Sequence, residues 1–217
     1  MRKSESQLNN EVIGKLAARC SEKRNSVAET VIHQIEPVWN SESRVLLLGT
    51  MPSPASRNAG FFYMHPQNRF WKILPAVFGE TLTFPEKAGQ GKSTFCVKSE
   101  QFTAQSESAI QERKAFLLRH NIALWDVLSS CGIRGAADAT IKDAVPNDFS
   151  PLFEHSKIRR VFCTGKAAYG FWQKLCAHQY EEKFGLKCEC LPSTSPANAA
   201  WSLPRLIDAY KKITDWL

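Results

Sequence analysis

Two short stretches of this sequence hold side chains whose types and spacing suit work on a small polar ligand. The first, residues 49–71, opens with Gly49, Thr50, Met51, Pro52, Ser53 and Pro54. It continues through Phe61, Phe62, Tyr63, Met64, His65, Pro66, Gln67, Asn68, Arg69, Phe70 and Trp71. Three consecutive aromatics there precede a polar turn, so flat rings for stacking stand next to an imidazole and an amide. Phe70 and Trp71 point along a helix that must pack, and Asn68 suits the cap of that helix. Tyr63 and Phe61 are harder to assign to packing alone. The second stretch is Leu191, Pro192, Ser193, Thr194, Ser195, Pro196, Ala197 and Asn198. Its hydroxyls and small residues lie between two prolines, which makes a stiff loop that can approach phosphates closely; read by itself, it serves equally well as a strand-to-helix turn.

Both stretches follow apolar runs that read as strands. Strand candidates cover residues 44–48, 122–128, 158–164 and 186–191, and helix candidates cover 68–78, 108–120, 166–177 and 203–217. The last helix gathers Leu203, Leu206, Ile207, Tyr210, Ile213 and Leu217 on one face. Ser108 and Gln111 fit a capping box. Strands with uninterrupted apolar cores alternating with helices predict a three-layer α/β/α sandwich around a four-stranded parallel sheet. Ligands in such folds sit beyond the carboxyl ends of the strands, where both stretches fall. Residues 1–40 read as an accessory segment, with Val12, Ile13, Leu16 and Ala17 at helical spacing, and residues 41–217 as one domain interrupted by a polar insertion at about 81–108.

With 217 residues, 43% of them hydrophobic, the chain can bury a core without disulfides or metals. Its 28 lysines and arginines exceed 21 aspartates and glutamates, and a net charge of +7 argues for a polyanionic partner if the excess is gathered on one face. Val45, Leu46, Leu47 and Leu48 form the longest apolar run, far below the roughly 20 residues of a membrane span. No apolar secretory region follows Arg2 and Lys3, so a cytosolic home is expected, nucleoid-associated in a bacterium. Seven cysteines without a Cys-x-x-Cys spacing read as reduced, buried thiols, and strand alternation sends Cys188 and Cys190 to one face as packing residues rather than as half of a metal site. Gly91, Lys92 and Ser93 echo a phosphate-binding loop, but Glu86 stands where that loop needs glycine. Gly165 and Lys166 give only a weak anion-site signal, which helix packing explains better. No Gly-x-Ser-x-Gly elbow occurs.

Taken together, the two stretches resemble the uracil-DNA glycosylase superfamily, most closely its mismatch-specific uracil and hypoxanthine-DNA glycosylase branches, from about Val45 to the carboxyl terminus. His65, Pro66, Gln67, Asn68, Arg69, Phe70 and Trp71 are similar to the His-Pro-x-Asn-Arg-Phe-Trp run of the mismatch-specific enzymes. Gly49 to Ser53 resembles their first motif, and Leu191 to Asn198 the second. One departure is plain: mismatch-specific relatives read Gly-x-Asn-Pro, with the asparagine positioning water, and this chain has Met51 there.

The resemblance implies an enzyme that rotates a nucleotide out of duplex DNA and hydrolyses the bond between its base and sugar. On that reading Tyr63 stacks on the flipped base, within a base pocket that also includes Gly49, Thr50, Met51, Pro52, Phe62 and Ser193. Asp126 reads the pairing edge of the base by accepting hypoxanthine N1–H, or stabilises the cationic sugar; a turn cap or a pair with Arg134 is the structural alternative. Asn68 either holds water or ties the two loops together, and His65 either donates to base or phosphate or anchors the loop. Ser53, Ser193, Thr194 and Ser195 face phosphates, Lys166 joins the DNA-binding set, and Pro196, Ala197 and Asn198 form a small wedge. Because Met51 cannot direct water, the implied chemistry breaks the glycosidic bond first and captures an oxocarbenium-like sugar afterwards.

The expected activity is therefore monofunctional excision of a deaminated base, hypoxanthine before uracil, by a monomer acting on double-stranded DNA, and possible on single strands, without metal or cofactor. The alternatives are a mismatch-directed uracil or thymine glycosylase, a non-catalytic nucleic-acid-binding module of the same fold, and a hydrolase of free nucleosides.

Overall fold

A computed structural model describes residues 29–83 and 99–217. Its strands are β1 (Glu29–Ile32), β2 (Val45–Gly49), β3 (Ile122–Asp126), β4 (Leu128–Ile133), β5 (Lys142–Pro146), β6 (Arg160–Thr164) and β7 (Lys187–Leu191). The helices are α1 (Pro54–Ala59), α2 (Phe70–Val77), α3 (Ser99–Arg119), α4 (Ser150–Glu154), α5 (Lys166–Leu175), α6 (Ala177–Phe184) and α7 (Leu203–Tyr210), with 3-10 turns at Asp138–Thr140 and Lys211–Trp216. The helical spacing around Val12, most of the 81–108 insertion and the Gly91 motif lie outside the described residues.

The four expected strands form one parallel sheet in the order β3-β2-β6-β7, with helices on both faces. Strand alternation explains the division of the core: Val45 and Leu47 of β2 pack with Phe62, Phe70, Phe116 and Tyr210 on one face, whereas Leu46 and Leu48 pack with Phe149, Trp172 and Tyr180 on the other. Every residue of β2 is buried, which is why its sequence is a continuous apolar run. Among the described residues no helix is long and apolar enough to cross a membrane.

A second, antiparallel sheet of order β1-β4-β5 was not legible as strands. The expected strand at 122–128 divides at Val127, whose N–H donates to the Gly49 carbonyl at 2.8 Å while Leu128 N–H donates to Thr50. The chain thus leaves the parallel sheet immediately after Asp126 and turns into β4. That strand, Leu-Ser-Ser-Cys-Gly-Ile, pairs with β5 through two register irregularities, which erase a clean period of two. From the segment expected to be accessory, β1 pairs with β4 over four residues, and Val31, Ile35 and Val38 are buried in the two cores.

Other expectations need correction. Ser108 lies inside α3 and cannot cap its start. The helix predicted over 166–177 breaks at Cys176, and α6 follows it directly. The carboxyl-terminal helix ends at Tyr210 and tightens into a 3-10 turn. Cys188 is half-buried, 3.5 Å from Cys163 Sγ, but Cys190 is exposed, because β7 is an edge strand whose outer half is covered only in part. The thioether of Met51 packs against the second core cluster. Leu47→Ala, at a fully buried position in the central strand, is expected to lower unfolding free energy by about 2–5 kcal/mol in a denaturant titration.

Candidate active site

One cavity of about 310 Å³ opens where the parallel strands end, near the lower limit of the roughly 300–1,000 Å³ typical of ligand pockets. Its walls include Gly49 to Ser53 after β2, Tyr63, His65 and Asn68 from the aromatic stretch, Asp126 from β3, and Ser193 to Ala197 after β7. The two stretches singled out in the sequence therefore converge on one cavity. Phe61, by contrast, is a core residue stacked on Trp71.

Asp126 forms the buried floor. It is 4% exposed, and its Oδ2 lies 2.9 Å from His33 Nε2. The tautomer follows from the other ring nitrogen: Nδ1 of His33 accepts the Ile35 N–H at 3.2 Å, so Nε2 carries the proton and donates to Asp126. Asn147 Nδ2 donates to the Asp126 backbone carbonyl at 3.0 Å. The carboxylate pairs with His33, not with Arg134. Gly49 makes room for it, since a Cβ there would overlap Asp126 Oδ1 and come within 2.9 Å of the Tyr63 hydroxyl.

Tyr63 is held rigidly in the left-handed region, at φ 57°. Its ring stacks on Phe70 at 4.0 Å between centroids, 9° from parallel, which leaves only one face for a ligand. The hydroxyl lies 2.7 Å from Thr164 Oγ1, and Thr164 in turn donates to the Leu48 carbonyl, so Tyr63 is the donor of the pair. Burial, then the Asp126 charge, push its pKa well above the usual phenol value and keep it a donor.

The second loop is fastened to the first by Arg69. The Arg69 N–H and Nε both donate to the Thr194 carbonyl, Nη2 to the carbonyls of Ser195 at 2.8 Å and Asn198 at 3.0 Å, and Nη1 to Trp201. Asn68 adds a second tie: its Oδ1 accepts both the Phe70 N–H at 3.0 Å and the Thr194 hydroxyl at 2.8 Å. With Oδ1 so engaged, the amide can offer a ligand only its Nδ2 donors. His65 Nδ1 accepts the Gln67 N–H at 3.2 Å, which leaves Nε2 as its outward group.

Other sequence-predicted residues are placed as follows. Ser53 caps α1 by accepting the Ser56 N–H. Phe62 is buried and its carbonyl accepts from Trp71. Ser193 and Ser195 accept the N–H groups of Ser195 and Ala197, hydrogen bonds that stiffen the loop, and Asn198 Nδ2 donates to the Ser193 carbonyl. Thr194 is 1% exposed with its hydroxyl given to Asn68, so it braces the loop from within and does not face phosphates. Pro196 and Ala197 are exposed at the tip. Lys166 is exposed at the start of α5 and outside the cavity lining. Gly165, at φ 123°, lets that start lie against Ser193, whose Cβ would be 3.1 Å from an added one.

Sequence reasoning did not find His33, Arg69, Thr164 or Asp138. Arg69 lay inside a recognised run and Thr164 at the end of an expected strand; His33 and Asp138 are brought in by the antiparallel sheet, whose strands leave no clean local pattern. Among the described residues no group of three or more His, Cys, Asp or Glu is arranged to hold a metal.

Because a lysine ammonium cannot span several carbonyls as a planar guanidinium does, Arg69→Lys is expected to release the second loop. The loss should be about 1.5–3 kcal/mol of stability, with faster amide hydrogen exchange confined to residues 193–201. Unaltered exchange there would show that the loop is held by other contacts.

Comparison with known proteins gives the family of the chain. The family model described as the uracil DNA glycosylase superfamily matches residues 37–217. A hypoxanthine DNA glycosylase of Methanosarcina acetivorans is 28% identical over 169 residues, covering 77% of this chain and 89% of that protein. The corresponding protein of Methanosarcina barkeri is 31% identical over 163 residues, with 75% and 85% covered. The solution structure of a candidate uracil DNA glycosylase from Methanosarcina acetivorans superimposes with a TM-score of 0.63 at 25% identity, over 87% of this chain and 99% of that one. With the cavity at the strand ends and a family match over residues 37–217, this chain belongs to the uracil DNA glycosylase superfamily.

Proposed function

We propose that this chain is a monofunctional DNA glycosylase that hydrolyses the glycosidic bond of deoxyinosine in DNA and releases hypoxanthine. The observation that carries the reading is the convergence of Tyr63, the buried Asp126 carboxylate and the serine-rich loop on one base-sized cavity. The relatives called hypoxanthine DNA glycosylases support it.

In this reading the deaminated nucleotide leaves the helix at a cost of a few kcal/mol, offset by stacking on the free face of Tyr63, which is worth about 1–3 kcal/mol. Hypoxanthine presents N1–H to Asp126. Adenine has a lone pair at that position and meets the carboxylate unfavourably, so the same contact separates the lesion from its parent base. His33 holds one carboxylate oxygen and thereby aims the other. Asn68 Nδ2 and His65 Nε2 supply donors to the base, a water or a flanking phosphate. Asp126 also stabilises positive charge that develops on the sugar as the bond breaks. Pro196, Ala197 and Asn198 fill the vacated stack; being small, they favour bases that are already poorly paired. Ser53, Ser193, Ser195 and Lys166 lie along the DNA backbone. The partner is double-stranded DNA carrying a damaged or mismatched base, bound by a monomer, and the net charge of +7 makes that binding weaken as salt rises.

Duplexes with one inosine or one uracil, incubated with the protein and then cleaved with alkali, test the proposal. Cleavage at inosine is the expected result. Cleavage at uracil alone would assign the mismatch-directed activity, and binding without cleavage a non-catalytic module. Tyr63→Ala is expected to slow single-turnover excision by about 10–100-fold while changing DNA affinity much less.

A further inference from the structure

The second sheet contributes a carboxylate to the cavity that the roles above leave unused. Asp138 opens the 3-10 turn between β4 and β5 and lines the cavity next to Ala136 and Ile133. Thr50 donates its hydroxyl to Asp138 Oδ2 at 3.0 Å, and among the described residues no hydrogen bond holds the other oxygen. Although much of the residue is open to solvent, it borders the cavity and its carboxyl group is held there by Thr50. Withdrawal from water raises its pKa above the ordinary carboxylate value, the Thr50 hydrogen bond lowers it, and the charge of Asp126 raises it again. The titratable groups around it are Asp126 from β3, Cys131 of β4, and Tyr63 and His65 in the same cavity lining, with Arg57 close to Cys131.

The cavity therefore holds two carboxylates in different surroundings. Asp126 receives the His33 proton and is kept as an acceptor. Asp138 has one oxygen free, and desolvation beside the Asp126 charge moves its titration upward from the ordinary carboxylate value. Two carboxyl groups in unlike surroundings can take up distinct roles in hydrolysis. A purine leaving group needs an acid, because the electron pair of the broken bond is delocalised onto ring nitrogens N3 and N7, and a proton on either makes the departing base neutral.

We propose that Asp138 is a catalytic residue, the general acid that protonates N7 or N3 of the purine as its bond to the sugar breaks. This deepens the glycosylase reading above and rests on it. The C1′–N9 bond breaks with its electron pair going to the base, and the Asp138 proton passes to the ring nitrogen, so hypoxanthine leaves as a neutral molecule. Water adds to the C1′ cation and gives its surplus proton to solvent, from which Asp138 is reprotonated. Asp126 neutralises the cation between the two steps.

Single-turnover excision from an inosine duplex, measured against pH, tests the role. The wild-type rate is expected to fall as pH rises through the raised Asp138 pKa, because the acid is then lost. Asp138→Asn should be slower by about 10²–10⁴-fold and lose that descending limb, with Asp138→Glu restoring part of both. Duplexes with 7-deaza- or 3-deaza-deoxyinosine add an arm that needs no variant. One analogue should remove the limb from the wild-type profile, and on that analogue wild type and Asp138→Asn should react alike. An Asp138→Asn protein as fast as wild type, or slower with the same pH profile, overturns the proposal, as does a descending limb that survives on both analogues. If wild type releases no hypoxanthine at any pH, the glycosylase reading itself fails instead.

Discussion

A carboxylate that is 4% exposed is the constraint around which this molecule is arranged. Removing an anion from water costs several kcal/mol unless hydrogen bonds replace the lost hydration. Asp126 obtains that replacement from His33, whose own orientation is set by the Ile35 N–H. His33 can reach the site only because β1 pairs with β4, and β4 begins two residues beyond Asp126. The antiparallel sheet is thus the support of a buried charge. Gly49 is bound into the same arrangement, since any side chain there would take the space of the Asp126 carboxylate. His33 also lies just before residue 37, where the family match begins, so the support of the charge comes from a part of the chain that the match does not reach.

The second requirement is rigidity in loops 125 residues apart in sequence. Loops ordinarily provide mobility, yet on the proposed reading a stacking platform and a wedge must hold their spacing while DNA is deformed between them. Here Arg69 places a planar cation among four backbone carbonyls, and Asn68 and Thr194 close a second contact beside it. The serine hydroxyls cap amides of their own loop. Much of the polarity that looked available for phosphates in the sequence is spent on keeping this loop in one shape. What remains for DNA is the exposed tip at Pro196 and Ala197, with side chains around the cavity mouth.

The parallel sheet was readable because burial on both faces forces continuous apolar strands, as in Val45 to Leu48. The 49–71 and 191–198 stretches stood out for a related reason, since each lies at or beyond the end of such a strand, where the fold puts ligands; the roles expected of Tyr63 and Asp126 came from the family resemblance. The antiparallel sheet was not readable. Its β1 buries only Val31, β4 carries serines and a glycine through two register shifts, and β5 is largely exposed. Without a visible strand there was nothing to bring His33 or Asp138 toward Asp126. Cys190 misled for the same reason in reverse, since alternation predicts a face but cannot say that the strand is at an edge.

The substitution of Met51 for an asparagine ties these features to the choice of base. An enzyme that aligns water with a dedicated amide can assist attack on any sugar, whatever leaves it. With Met51 packed against the core, assistance shifts to the departure of the base, and there purines and pyrimidines differ. Hypoxanthine keeps two basic ring nitrogens conjugated with the broken bond. In uracil one ring nitrogen is the glycosidic atom and the other carries hydrogen, so no ring nitrogen can accept a proton as it leaves. An acid in the wall of this cavity lowers the barrier for a purine and does little for a pyrimidine. On the proposed reading Asp126 accepts from the lactam N–H of either base and cannot make that distinction alone; with Asp138 as the proposed proton donor in the same cavity, the site would favour the deaminated purine.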